Sequence, residues 1–237
     1  MLQTHSMILW AKPRKEDFNL SVDKAYSILK TLEEFGTELN PKYLKARRKK
    51  DAKVYDGTYE TLKELLRKGV NKEGQTVFLD LGYSIGFFSS LVNKDAAGIS
   101  ISVGKTHPDF INTVVVNLPQ SLSVHDLLVA EKLIQIFKKC IEIFDPYWGC
   151  IGNNINVQRF NGFWKENLPT TIHWVNFFGK DIVNQLGVRK IEQAPIYKTE
   201  TLGDGYFIRL KENPIKDDSK EDINIQSEMN FYFGFSS

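Results

Sequence analysis

The stretch from Val77 to Pro119 contains four short apolar runs, and their close spacing constrains the fold more than any other feature of the sequence. The runs are Val77–Leu81, Ile85–Val92, Gly98–Val103 and Ile111–Leu118. Each has the length and the Val, Ile and Phe content of a β-strand, and each is bounded by turn-forming residues. The gaps are too short for the crossover helices that parallel strands need, so the sequence predicts an antiparallel meander.

The third run indicates that this sheet has one covered face. Between Ala97 and Val103 apolar and polar residues alternate strictly, with Ile99 and Ile101 on one side and Ser100 and Ser102 on the other. Such alternation is typical of a strand that packs one side against a core and leaves the other side near water.

Several other segments carry the spacing or punctuation of regular structure. Amphipathic helices are predicted over Val22–Phe35 with Ser21 as N-cap, over Tyr59–Lys68 with Thr58 as N-cap, and over about Val124–Phe144, ended by Asp145-Pro146. Further strands are predicted at Met7–Trp10, Lys190–Ile196 and Tyr206–Leu210, an exposed loop at Pro214–Glu221, and a docked aromatic tail at Met229–Phe235. Together these elements predict an α+β fold, a mostly antiparallel sheet with helices packed on one face.

Length and composition set the outer limits of the interpretation. The 237 residues suit a single domain over 1–237, with a possible lobe boundary near Gln120. A net charge of +2 with 25% charged residues does not imply a nucleic-acid or membrane partner. The basic stretch Lys42–Lys53 could bind an anion or a nucleic acid, but we expect a solvated surface.

No cofactor, metal or targeting signal is evident in the sequence. The two cysteines, Cys140 and Cys150, form no CxxC motif, and the four histidines show no metal-ligand spacing. Neither a signal-like N-terminus nor a membrane-length apolar segment is present, so we expect a cytoplasmic protein.

One glycine-rich segment allows an enzymatic alternative. Val77–Gly86 resembles the first motif of class I methyltransferases: Asp80, Gly82 and Gly86 match, but Ser84 replaces the middle glycine. The strand after it also ends on Ser and Gly instead of the acid that holds a ribose. The alternatives are an S-adenosylmethionine-dependent methyltransferase-like enzyme using LDLGYSIG and a tight hairpin turn, and the turn is favoured.

Recognisable catalytic groupings are otherwise missing. The sequence contains no GxSxG, HExxH or P-loop motif. His107 and His125 stand alone, and lone histidines are more often structural than catalytic. We therefore predict a binding protein without catalytic residues, which is not an enzyme.

The order of features resembles the immunity proteins of bacterial polymorphic toxin systems, most closely the immunity protein fifty-two family. The resemblance runs from about Leu62 to Leu210. Its parts are Leu62–Gly69, the LDLGYSIGFF turn, the strand ending at Gly104, Asn112–Pro119, the long helix before Tyr147-Trp-Gly149, and Trp174–Phe178 near Leu186-Gly187.

This resemblance implies function by binding. The protein would bind and neutralise a cognate secreted toxin domain, in this family typically a restriction-endonuclease-like nuclease, by occlusion in the cytoplasm of the producing cell. It implies no catalytic residues, and we expect no direct contact with nucleic acid or membrane.

A positively charged nuclease cleft would be met by acidic side chains beside aromatic ones. Three groups fit this description: Phe163, Trp164 and Glu166; Glu33, Glu34 and Glu38; and Asp217, Asp218, Glu221 and Asp222. Trp148 and Trp174 match the family pattern, and both core and interface positions are open to them, with the core favoured.

Overall fold

Nine strands form one antiparallel sheet in the computed structural model, which describes residues 4–153 and 168–235. The strands are β1 (His5–Ala11), β2 (Tyr43–Leu44), β5 (Tyr83–Phe88), β6 (Gly98–Val103), β7 (Asn112–Asn117), β8 (Trp148–Asn153), β9 (Val175–Phe178), β10 (Lys198–Leu202) and β11 (Gly205–Arg209). Their spatial order is β10-β11-β9-β8-β1-β7-β6-β5-β2, and β3 (Lys72–Glu73) and β4 (Thr76–Val77) form a separate pair. The strand nearest the N-terminus thus lies at the centre of the sheet.

The described residues also form six α-helices. They are α1 (Phe18–Glu33), α2 (Tyr59–Lys68), α3 (Leu127–Phe144), α4 (Lys180–Leu186), α5 (Val188–Glu192) and α6 (Lys220–Phe233). None of these helices is long and apolar enough to cross a bilayer. The predicted α+β class is confirmed.

The predicted meander is present as β5, β6 and β7, which are neighbours in that order. The prediction of a strand over the first apolar run, Val77–Leu81, is wrong. Leu79–Leu81 is a 3-10 turn, and Val77 and Leu79 are exposed. Gly82 follows this turn with a positive φ of 64°, and β5 begins at the next residue. The run therefore serves as the approach to β5.

Burial differs between the two halves of the sheet. In β6 the residues Ile99, Ile101 and Val103 are buried while the serines between them are partly exposed, as the alternation predicts. By contrast, every residue of β1, β8, β9 and β11 is buried. A strand buried along its whole length has both faces covered.

Helices contribute to this cover on one face at β8 and on the other at β9. On one face, α3 packs so closely that a Cβ on Gly149 would lie 3.1 Å from the ring of Phe137. On the opposite face of β9, Phe178 meets the rings of Phe233 and Phe235 edge to face, at centroid distances of 5.7 and 5.9 Å. The helices lie on one face over β5–β7, as predicted, and the C-terminal helix α6 adds cover on the second face over β9.

Helix boundaries follow their capping residues. The second helix agrees with its predicted bounds, capped by Thr58 and followed by Gly69. Ser21, predicted as the N-cap of the first helix, instead lies buried inside α1, because Asp17 caps the helix by accepting a hydrogen bond from the Leu20 N–H at 2.8 Å. The long helix α3 begins at Leu127, after its N-cap Asp126.

The C-terminal third departs most from expectation. The strand predicted at Lys190–Ile196 is wrong, because helix α5 covers Val188–Glu192 and Ile191 alone of its residues is buried. The strand predicted at Tyr206–Leu210 is confirmed as β11. The aromatic tail docks within the protein through Met229, Phe233 and Phe235.

The two tryptophans for which the sequence allowed either a core or an interface position, Trp148 and Trp174, belong to the core. Trp148 is 5% and Trp174 1% exposed. The Trp148 ring stacks on Trp10 with centroids 4.1 Å apart, and the Trp174 indole N–H donates to the Lys211 carbonyl at 3.0 Å. Both positions are structural.

Candidate partner-binding surface

The structure places the predicted acidic residues of the C-terminal region at the start of α6. Asp217 and Asp218 precede the helix, and Glu221 and Asp222 lie in its first turn. Phe163, Trp164 and Glu166 fall outside the described residues. The contact surface can therefore be built only from the α6 region and from the acidic end of α1.

The inner face of α6 is held to the protein by polar side chains four residues apart. The Asp222 carboxylate accepts from the Lys211 ammonium and from the Lys216 N–H. Gln226 donates to the Ile172 carbonyl at 2.6 Å, and Asn230 accepts from the Ile172 N–H at 2.7 Å. Because buried polar groups are costly unless they are bonded, this ladder fixes the helix in one position.

Asp222 is therefore not on an exposed acidic surface, in contrast to the expectation from the sequence. It is 5% exposed, and both carboxylate oxygens are occupied by bonds within the protein. The polar pattern of the ladder explains the wrong expectation: acidic and amide residues at this spacing resemble a solvated loop until their partners are known.

The outer face of α6 carries an exposed stripe of Glu221, Asn224, Glu228 and Phe231. Residues spaced three and four apart lie on the same side of a helix. Phe231 is 89% exposed, the most exposed large apolar side chain among the described residues. We call these four residues the outer stripe.

The outer stripe carries two exposed carboxylates, Glu221 and Glu228. Asp218 is exposed just before the helix, and Glu221 is paired only loosely with Lys211, at 3.8 Å. The exposed Lys220 is the basic side chain nearest to them in sequence. An aromatic ring beside a carboxylate has the composition expected of the contact surface, and α6 provides it at Phe231 and Glu228, which lie one turn apart and are both outside the predicted set.

The helical register of α6 could have revealed this surface. The buried positions 222, 226 and 230 and the exposed positions 221, 224, 228 and 231 fall on opposite sides of one helix. The signal is weak in the sequence because the buried side mixes polar residues with Met229 and Phe233, whereas helix prediction relies on a continuous apolar side.

The carboxylates at the acidic end of α1 are less available to a binding partner. Glu33 pairs with Lys30 at 2.9 Å, and Glu34 pairs with Lys139 of α3. Glu38 is exposed and lies beside Thr37. Two of the three carboxylates thus stabilise the protein itself, although such exposed pairs contribute little.

A polar cleft separates the start of α3 from the start of α6. His125, Lys211, Lys216 and Asp222 are among the residues that line it. Burial, and secondarily Lys216, lowers the pKa of His125. Beneath it, His5 stands with its ring centroid 5.9 Å from that of His125, and burial, followed by the charge of His125, lowers the pKa of His5 to about 4.

The LDLGYSIG segment forms a tight turn, although the residues before Gly82 do not pair with β5 as the two arms of a hairpin would. The Asp80 carbonyl accepts from the N–H groups of Thr106 and His107, at 2.9 and 3.1 Å. A Cβ on Gly82 would lie 2.3 Å from the Val103 carbonyl. The turn leads into β5, whereas a cofactor-binding glycine turn leads into a helix whose N-terminus faces the ligand.

The described residues form neither a metal site nor a reactive thiol. No group of three or more His, Cys, Asp or Glu side chains among them could hold a metal ion. Cys140 and Cys150 are buried, and burial raises the pKa of the Cys140 thiol to about 12. A thiol so hard to deprotonate is a poor nucleophile.

Comparison with known proteins gives one informative likeness. No family model matches the chain, and no curated protein matches it. Among solved structures, the T6SS (type VI secretion system) protein PA0821 of Pseudomonas aeruginosa is similar, with a TM-score of 0.67 and 13% identity over 99% of this chain and 73% of that one. At this identity the likeness establishes a shared fold, which extends over nearly the whole of this chain.

Proposed function

We propose that the protein is an immunity protein that binds and neutralises a cognate secreted toxin domain. The observation that carries the proposal is the likeness to a T6SS protein along 99% of the chain. A link to secretion agrees with the resemblance of the sequence to the immunity proteins of polymorphic toxin systems. On this proposal the protein acts by occlusion, in the cytoplasm of the producing cell, and needs no catalytic residue.

The outer stripe of α6 is the surface we assign to the toxin. Phe231 would enter an apolar pocket of the toxin domain, since aromatic anchors dominate the binding energy of protein interfaces. Glu221 and Glu228 would face basic residues around that pocket, which speeds association and fixes orientation. A nuclease cleft, basic because it binds phosphates, is the toxin surface that this arrangement suits best.

The buried ladder of α6 supports this role. Asp222, Gln226 and Asn230 hold the helix rigidly, so little conformational entropy is lost when its outer side binds.

Co-expression with the toxin domain encoded beside this gene tests the proposal. The protein should restore growth, and a double change, Phe231→Ala with Glu228→Lys, should abolish the rescue. Leu128→Ala with Glu142→Lys is the matched control, since Leu128 is 83% exposed and both residues lie on α3. A toxin domain that kills equally with and without the protein, and forms no complex with it, would refute the assignment.

A further inference from the structure

The basic stretch Lys42–Lys53 forms a hairpin at the β2 edge of the sheet. The Leu44 N–H donates to the Lys53 carbonyl and the Tyr55 N–H to the Lys42 carbonyl, both at 2.8 Å. Residues 43 and 44 pair with β5, and the Lys45 N–H donates to the Gly86 carbonyl at 2.8 Å. The hairpin is thus fixed to the main sheet, which a merely solvated loop would not require.

Most of the charge on this hairpin is uncompensated. Arg48 pairs with Asp51 at 2.5 Å, and Lys49 lies 5.0 Å from the centre of the Phe88 ring. Lys42 is half-buried, and within the described residues no carboxylate pairs with the four other cations, Lys45, Arg47, Lys50 and Lys53. All four are exposed. Like charges this close in the sequence repel one another, and a bound anion would relieve that repulsion.

The hairpin borders the open face of the meander, which is lined with hydroxyl groups. Ser84 lies opposite Ser102, and Ser102 lies opposite Thr113, so that three strands present a row of hydroxyls on one face. The Ser84 and Ser102 oxygens are 2.9 Å apart.

Lys45 joins the hairpin to this face. A Cβ on Gly86 would lie 2.9 Å from the Lys45 Cδ, so the lysine stem crosses the sheet where a glycine leaves room for it. Lys45, Ser84, Gly86, Ser100 and Ser102 line a shallow depression. Cations and hydroxyl donors therefore share one surface.

We infer that this surface binds the phosphate backbone of a nucleic acid without reading its sequence. Lysine, arginine, serine and threonine side chains are the usual phosphate partners, and several unpaired cations give affinity by releasing counterions. An acidic protein fits less well, because protein interfaces need aromatic or aliphatic anchors. Here Val54 is the one large apolar side chain strongly exposed on the hairpin, Phe88 is occupied by Lys49, and the hydroxyl row is small and polar. This departs from the expectation, based on sequence alone, of no contact with nucleic acid.

Fluorescence anisotropy with short labelled strands of DNA and RNA, single and duplex, tests the inference. At about 50 mM salt we expect micromolar binding that weakens steeply as salt is raised. The triple variant Lys45→Gln, Arg47→Gln, Lys50→Gln should lower affinity by roughly tenfold or more and reduce the slope of log affinity against log salt by about 2 for a single strand. The triple variant Lys72→Gln, Lys180→Gln, Lys220→Gln removes the same charge from exposed sites elsewhere and should change little.

A second pair of variants addresses the sheet face. Ser100→Asp should weaken binding by repelling phosphate, while Ser100→Ala should not, provided that circular dichroism shows both to be folded. Absence of binding, or binding that both triple variants reduce equally, would overturn the inference. So would displacement of the strand by polyglutamate at equal charge, which would identify a surface for acidic proteins. None of these results bears on toxin binding by α6.

Discussion

Gly82 illustrates how one residue separates two interpretations of the same sequence. Its φ of 64°, and the 2.3 Å that would separate a Cβ at this position from the Val103 carbonyl, require glycine for structural reasons alone. A methyltransferase would need the same glycine to approach its cofactor. The motif by itself therefore could not distinguish a structural turn from a cofactor-binding turn. The turn is followed directly by strand β5 and not by a helix, which favours a structural role for this glycine.

Gly82→Ala should lower the free energy of unfolding by about 2 kcal/mol or more, because it adds a steric clash to an unfavourable backbone conformation. Gly203→Ala is the control: Gly203 has a φ of 56° but no atom within 4 Å of its Cβ position. Urea denaturation of both variants isolates the clash. Equal losses in the two would show that close packing at Gly82 is unimportant.

Phe231 should matter for binding and not for stability. Because its side chain is 89% exposed, Phe231→Ala should leave the urea midpoint nearly unchanged. Its affinity for the toxin domain should fall by about 2 kcal/mol, roughly thirtyfold. Leu128→Ala removes a similarly exposed side chain from α3, and it should change neither the urea midpoint nor the affinity for the toxin domain. Unchanged affinity of the Phe231 variant would remove the outer stripe from the interface.

At the scale of elements, α6 depends on its polar ladder. Asn230→Leu would leave the Ile172 N–H buried without its partner, at a cost of about 1–3 kcal/mol. The exposed Asn224→Leu on the same helix should cost much less. Denaturant titration measures both, and a small loss at position 230 would mean that the ladder does not anchor the helix.

Elements with local signals could be predicted from the sequence, and those defined by distant partners could not. The alternation in Gly98–Val103 and the Thr58 and Gly69 punctuation of α2 depend on neighbouring residues only, and both gave correct bounds. The polar residues on the buried side of α6 are recognisable as buried only through their partners elsewhere in the chain, Lys211 and Ile172. The outer stripe was missed for the same reason.

At the scale of the whole molecule, two surfaces of opposite charge lie far apart along the sheet. The basic hairpin is at the β2 edge, and α6 covers the β9 region, six positions away in the strand order. With strands about 4.8 Å apart, the separation is roughly 30 Å. Such a distance allows the two surfaces to bind different partners at once.

The stability of the whole fold should fall in mild acid. Burial lowers the pKa of His5 and of His173 from 6.5 to about 4, and the charge of His125 adds to the effect on His5. Between these values the unfolded chain binds more protons than the folded one, so stability rises with pH and is complete above pH 6.5.

We expect the free energy of unfolding to drop by about 2 kcal/mol for each buried histidine between about pH 7.5 and pH 5. His173→Gln should reduce that pH dependence, because it removes one of the two buried imidazoles. Urea titrations across this range provide the test. A flat stability profile would show that the two histidines bind protons equally well in the folded and the unfolded chain.

The central claim is that this protein is a dedicated inhibitor of one secreted toxin domain. Titration calorimetry against a catalytically inactive copy of the domain encoded beside it tests this most directly. We expect a dissociation constant at or below about 10 nM, equivalent to about −11 kcal/mol. No heat of binding at micromolar concentrations of both proteins would contradict it.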